Sequence, residues 1–266
     1  MKIVHFSSGL GNQIFFYLFC LYLQKKYPKE KIYGYYNKRW LKKHNGLEVA
    51  KVFDITLPPN TWISNVVAWF CRKLNGIGFT GLKATDTAFT EKATYFDGYY
   101  HDKHYFQDFL GYLHFKQFEL DKTNKELKSK IETSNSVAIH VRRGDYLLPE
   151  IDRIFGGICT EEYYRKAIER ITDNLDNPLF FVFSNDIDWV KKNLSIKQAV
   201  YVTNNNGANS HLDMYLMSLC KANIIANSTF SYWGAMMNCN NPIVVYPKKW
   251  DNIHTPDMFP EGWIGI

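Results

Sequence analysis

The chain has 266 residues, 46% of them apolar and 22% charged, with a formal net charge of +6. That length and apolar share can bury a substantial core and exclude wholesale disorder. The positive excess suits an anionic ligand or an acidic membrane face. Zinc-finger spacing, a continuous basic helix and RNA-binding signatures are all missing, which sets nucleic acid aside.

KIVHF at 2–6 predicts a first strand, 7–12 a glycine-rich turn, 13–26 a largely buried helix and 31–36 a second strand. The apolar run at 14–23 is too short to span a bilayer and lacks the cleavage site of a signal peptide. Residues 47–75 read as helical pieces broken at Pro58-Pro59. A strand follows at 95–100, a short aromatic helix at 103–110 and a polar helix at 122–132. The second half alternates more regularly. Strands are expected at 137–141, 179–183, 199–202, 222–226 and 242–246, and helices at 160–172, 187–193, 210–221 and 231–238. That alternation implies βαβ units and a parallel sheet, and divides the chain into 1–133 and 134–266. The five cysteines are odd in number and scattered in apolar surroundings. They read as reduced thiols of a soluble cytoplasmic protein, with neither a disulfide frame nor a metal cluster.

Each strand of the second half runs into a polar loop: 142–145, 184–186, 203–210, 227–229 and 247–249. All five would lie at the carboxyl edge of one sheet, where ligands bind in such folds. Arg142 and Arg143 directly follow a buried strand, which is costly unless something anionic meets them. A guanidinium fork matches phosphate oxygens in pairs, so the segment reads as a site for the diphosphate of a nucleotide-sugar. The alternative is an ion pair with Asp145 that holds the loop. Asn227 to Ser231 precedes a helix expected to begin near Ser231. Its N-terminus, with the hydroxyls of Ser228, Thr229 and Ser231, suits a phosphate, or those residues simply cap the helix. Gly11 and Asn12 form a comparable loop-to-helix junction in the first half. His140, ending its strand, bonds either the donor or the loop backbone. Ser184 and Asp186 either recognise the nucleotide or cap the next helix. Asp213 reads as a first-turn acid favoured by the helix dipole.

The chain resembles the bacterial α-1,2-fucosyltransferases of glycosyltransferase family 11. The resemblance covers most of its length. It rests on Gly9-Leu10-Gly11-Asn12-Gln13, Gly98-Tyr99-Tyr100 with Tyr105-Phe106, and HVRRGDY at 140–146. It continues through Gly157-Ile158-Cys159 with Tyr163-Tyr164, FSND at 183–186 and DMYLMSLCKANIIANSTFSYWGA at 213–235. The resemblance implies an α/β fold of the GT-B type, two Rossmann-like halves facing across a cleft. It implies a GDP-fucose donor held mostly by 134–266. The acceptor, a galactose-terminated oligosaccharide or lipid-linked glycan, would lie mostly on 1–133. It further implies inversion at the anomeric carbon, no cofactor and no required metal. His101-Asp102 replace the Gln-Ser usual in the family, and Tyr232 stands where a second tryptophan is common. Both departures bear on the acceptor.

Fucosyl transfer needs the leaving β-phosphate stabilised, a task for Arg142 and Arg143. It also needs a base for the galactose 2-hydroxyl. Asp145 is the first candidate, although two neighbouring cations weaken it as a base. Glu150, expected in a mobile loop after Pro149, follows by analogy with α-1,6-fucosyltransferases. Tyr100, His101 and Asp102 are the expected acceptor contacts. The basic surface suits peripheral association with the inner face of an anionic membrane. The open alternatives are a fucosyltransferase of other linkage, a transferase of another GDP-sugar, and a non-catalytic nucleotide-sugar or glycan-binding module.

Overall fold

The structure, a computed structural model, describes residues 1–76, 81–86, 88–90 and 92–266. Two compact units, Met1–Lys116 and Gln117–Ile266, each carry their own sheet.

In the first unit β1 (Lys2–Phe6) leads into α1 (Leu10–Lys26) and β2 (Ile32–Tyr36). Then come α2 (Lys38–Leu41), α3 (Val49–Val52), α4 (Trp62–Gly76), β3 (Lys83–Ala84), β4 (Tyr95–Phe96) and α5 (Lys103–Phe106). A 3₁₀ segment, Gln107–Tyr112, continues α5 where a longer α-helix was expected. The strand order is β2-β1-β4-β3 and every pairing is parallel. β1 is buried throughout, and α1 is apolar on nearly every side, as befits a core helix. α1 starts three residues before the expected position, because Leu10-Gly11-Asn12 form its first turn. β4 stops at Phe96, well short of 100. The left-handed Tyr100 (φ 53°) departs from the extended backbone a strand requires.

The second unit comprises α6 (Lys122–Glu132), β5 (Ser136–Val141), α7 (Pro149–Phe155), α8 (Glu161–Thr172), β6 (Leu179–Ser184) and α9 (Ile187–Asn193). It continues with β7 (Ala199–Val202), α10 (His211–Met217), β8 (Ala222–Ile224), α11 (Thr229–Met236), β9 (Ile243–Tyr246) and β10 (Ile264–Gly265). The boundary at Lys116 precedes α6, a helix that the division after residue 133 assigned to the first half. Asn124 of α6 exchanges two 2.9 Å amide hydrogen bonds with Asn205, which ties the helix to this unit.

All five pairings of the six-stranded sheet are parallel, in the order β10-β9-β8-β5-β6-β7. Read from β7 this is the 3-2-1-4-5-6 order of dinucleotide-binding folds, with its switch point between β5 and β8. Val137, Ile139 and Val141 of β5 pack with Tyr163, Tyr164, Ala167 and Ile171 of α8 in one core. α11 lies close against α10 at Gly234, where a Cβ would stand 3.1 Å from the Cβ of Met217. Residues 149–155 are helical, which corrects the mobile loop expected around Glu150. Pro149 is the N1 proline of α7, pre-set in φ where no N–H is needed. No helix among the described residues is long and apolar enough to cross a membrane.

Candidate active site

The topology brings the ends of β5 and β8 side by side. Two of the polar segments singled out from sequence, 142–145 and 227–231, therefore flank one switch point. Arg142 lies 2.8 Å from the Asp145 carboxylate, its guanidinium 5.5 Å from the centre of the Tyr146 ring. Arg143 donates from Nε to Asp186 Oδ2 at 3.2 Å and stacks 4.0 Å over Trp189. Its backbone N–H is held by Asn185 Oδ1 at 2.9 Å. Asp186 caps the next helix, one of its two expected readings, and also holds Arg143. One oxygen takes Arg143 and the other accepts from Trp189 N at 3.2 Å, capping α9. Ser184 Oγ accepts from Asp186 N at 2.9 Å and fixes the turn between them.

Gly144 permits this loop. It sits at φ +43°, and a Cβ there would collide with the Asn185 amide that anchors Arg143. Gly144→Ala should therefore misplace Arg143 and lower catalytic efficiency about tenfold or more, with a small loss of stability. Steady-state kinetics beside thermal melts check this. Unchanged kinetics would show the loop to be tolerant.

α11 begins at Thr229, two residues before the expected start, with Ser228 as an N-cap that makes no side-chain capping bond. The first-turn N–H groups are thus available to an anion. The neighbouring side chains differ in availability. Asn227 is committed internally: its amide donates to Phe155 O at 3.0 Å and Trp250 O at 3.1 Å. Its Oδ1 accepts from Cys159 at 3.4 Å, and its carbonyl accepts from Tyr146 Oη at 3.0 Å. Ser231 is fully buried and donates to Ser228 O at 3.2 Å. Asn227 and Ser231 are thus bonded internally, whereas the hydroxyls of Ser228 and Thr229 make no hydrogen bond among the described residues.

His140 is buried, and burial, aided by Arg142, holds its imidazole neutral with a pKa near 3. Among the described residues its Nδ1 has no hydrogen-bond partner, while its carbonyl accepts from Tyr164 Oη at 3.1 Å. Asp213, read from sequence as a plain dipole acid, is a carboxyl pushed upward by burial. Burial raises it from 3.8 to about 7, against the opposing bond that Asn205 Nδ2 donates at 2.8 Å. The folded protein keeps that proton between pH 4 and 7 while the unfolded chain releases it. Stability therefore falls as pH rises through this window. Asp213→Asn removes the penalty, and its advantage over the native protein should grow by on the order of 2 kcal/mol between pH 4 and 8. Parallel stability-against-pH curves would refute the assignment.

In the first unit, whose strand order also reverses at β1 and β4, the following loops carry the other candidates. His101 Nε2 lies 3.1 Å from Asn12 Oδ1. Gly11 is buried in the first turn of α1. Tyr100 is only 2% exposed and stacks on Phe19 with centroids 3.8 Å apart, so its ring offers a ligand no surface. Asp102 Oδ1 accepts from His104 N at 2.9 Å and caps α5. Glu150, in the first turn of α7, is exposed and has no hydrogen bond or ion pair among the described residues. Sequence reasoning missed Asn185, Trp189 and Gln13. The first two lie within or one turn beyond FSND, and the third within GLGNQ.

The family model described as glycosyl transferase family 11 matches residues 62–266. An alpha-1,2-colitosyltransferase of Escherichia coli is 36% identical over 179 residues, 64% of this chain and 62% of that protein. Human galactoside alpha-(1,2)-fucosyltransferase 1 is 31% identical over 138 residues, 49% of this chain and 38% of that protein. The chain thus matches less than two thirds of the length of either relative. Among solved structures, the fucosyltransferase NodZ from Bradyrhizobium is similar in fold, with a TM-score of 0.51 and 10% identity over 88% of this chain and 92% of that one. That likeness agrees with the GT-B type expected from sequence. With the family model matched over more than half its length, the chain belongs to glycosyl transferase family 11.

Proposed function

We propose that the protein is an inverting galactoside α-1,2-fucosyltransferase that moves L-fucose from GDP-β-L-fucose to the 2-hydroxyl of a terminal galactose. The observation that carries the reading is the second unit's switch point, where the Arg142-Arg143 loop and the N-terminus of α11 flank the ends of β5 and β8. As the bond from fucose C1 to the β-phosphate oxygen breaks, negative charge grows on the phosphate. Two guanidinium groups and the first N–H groups of α11 are fixed to receive it. The galactose 2-hydroxyl attacks C1 from the opposite face and its proton passes to a base. In this reading Asp145, 2.8 Å from Arg142, is a positioning residue that orients the guanidinium.

The α-1,2 linkage in the names of both relatives supports the regiochemistry, and the human protein's name supports fucose and a galactoside. The E. coli relative favours a second reading in which the sugar moved is colitose. Incubation with lactose and each nucleotide-linked sugar, followed by NMR of the product linkage, tests both. GDP-fucose should give a fucosyl-α-1,2-galactose product. Transfer of colitose alone would select the second reading, and GDP binding without turnover would leave a binding module.

A further inference from the structure

α4 is built inside out. Its buried side consists of the small residues Ser64, Ala68 and Cys71. Its large apolar residues, Trp62, Ile63, Val66, Trp69 and Phe70, are between 43% and 75% exposed. At about 100° per residue these five fall within an arc of roughly 120°, and Lys73 lies in the same arc. Lys73 Nζ stands 5.7 Å from the centre of the Trp69 ring. The face exposes on the order of 400 Å² of mostly aromatic surface, more than single surface hydrophobes explain. A second pair repeats the chemistry. Trp40 in α2 is 47% exposed, and Lys43 Nζ stands 4.8 Å from its ring.

The charge distribution says what covers this face. Residues 1–116 hold sixteen Lys and Arg against eight Asp and Glu, a formal +8, whereas residues 117–266 sum to −2. All of the chain's positive excess therefore sits on the unit that carries α4. A second copy docked face to face would bring two such units together and repel. An acidic surface would be attracted.

We propose that the exposed face of α4 docks on a bilayer containing acidic lipid. The helix lies in the plane of the interface, with Trp62, Trp69 and Phe70 seated among the acyl chains and Lys73 reaching back to the headgroups. This assigns the membrane contact to a specific helix face, where the sequence offered only a diffuse basic surface. It is independent of which sugar the protein transfers.

The test uses the full chain, with vesicles of phosphatidylethanolamine and phosphatidylglycerol compared with vesicles of phosphatidylcholine. The native protein should co-sediment with the acidic vesicles and shift its tryptophan emission to the blue. The triple variant Trp62→Ser, Trp69→Ser, Phe70→Ser changes only exposed side chains and should keep its far-UV circular dichroism. Its vesicle partition should fall about tenfold or more. Salt should weaken the native protein's binding, because part of the attraction is screened. Equal binding by the variant, or no binding by the native protein, overturns the proposal. So does a native dimer that the triple variant converts to monomer, which would assign the face to a second copy.

Discussion

Replacement of Arg143 by alanine is expected to lower turnover by about 10²–10³-fold while leaving the fold intact. Among the described residues its guanidinium makes one hydrogen bond, from Nε to Asp186, and its Cζ sits 4.0 Å over the centre of the Trp189 ring. These contacts fix the plane of the group and leave both terminal nitrogens free to donate. Arg142 is arranged in the same way, with Asp145 on one terminal nitrogen and the Tyr146 ring nearby. Neither ion pair consumes its arginine. In the proposed reaction each would hold a fork in place before the donor phosphate binds, so little reorganisation would remain for the transfer step.

The effect should fall on kcat more than on the affinity for GDP, because charge on the β-phosphate is largest in the transition state. Lysine at 143 should not restore activity. An ammonium carries its three donors on one atom, so it cannot hold Asp186 through one nitrogen and present a planar fork on two others, nor offer a flat group to the Trp189 ring. Single-turnover transfer from GDP-fucose, measured beside calorimetric GDP binding, separates the two quantities. Full transfer activity in both Arg142→Ala and Arg143→Ala would remove the phosphate argument altogether. Asp186→Asn offers a graded comparison. An amide retains the cap of α9 but weakens the hold on Arg143, so its loss should be smaller, about tenfold.

The arginine pair was legible in sequence because a buried strand running into two cations admits few explanations. The sheet order was not, since local periodicity marks strands without saying which neighbours pair. Only the placement of β8 beside β5 shows that residues 142–145 and 227–231 share a switch point. Residues with two plausible roles were also beyond local reading. Asp186 caps α9 and also holds Arg143, whereas Asn227 is occupied by Phe155, Trp250 and Cys159, all distant in sequence. Tyr100 belongs to a family motif and yet lies in the aromatic core beside Phe19. Pro149 was read as a loop marker because proline both breaks and begins helices. What distinguishes the two is the pair of acids in the following turn, Glu150 and Asp152.

Gln13 shows how a motif residue acts through the backbone it holds, and its removal should cause the largest loss of stability. Its side chain is fully buried and makes four hydrogen bonds. Nε2 donates to the carbonyls of Ser8 at 3.0 Å and Gly46 at 2.8 Å. Oε1 accepts from the N–H groups of Glu48 at 2.7 Å and Val49 at 3.1 Å, which are the open end of α3. One amide thus holds Ser8 at φ 62°, in a region that costs a non-glycine residue energy, and caps a helix from another segment. Gln13→Ala would strand two N–H and two C=O groups, at about 1–3 kcal/mol each before water relieves some of them. The expected loss is about 3–5 kcal/mol. Gln13→Met keeps the volume and removes only the bonding, so it should lose nearly as much if the hydrogen bonds carry the effect. Gln13→Glu should also fail, because a carboxylate cannot donate to the Ser8 and Gly46 carbonyls. Denaturant unfolding of the three variants decides the matter. A methionine variant within about 1 kcal/mol of the native protein would show that packing, and not the amide, holds the loop that leads into α1.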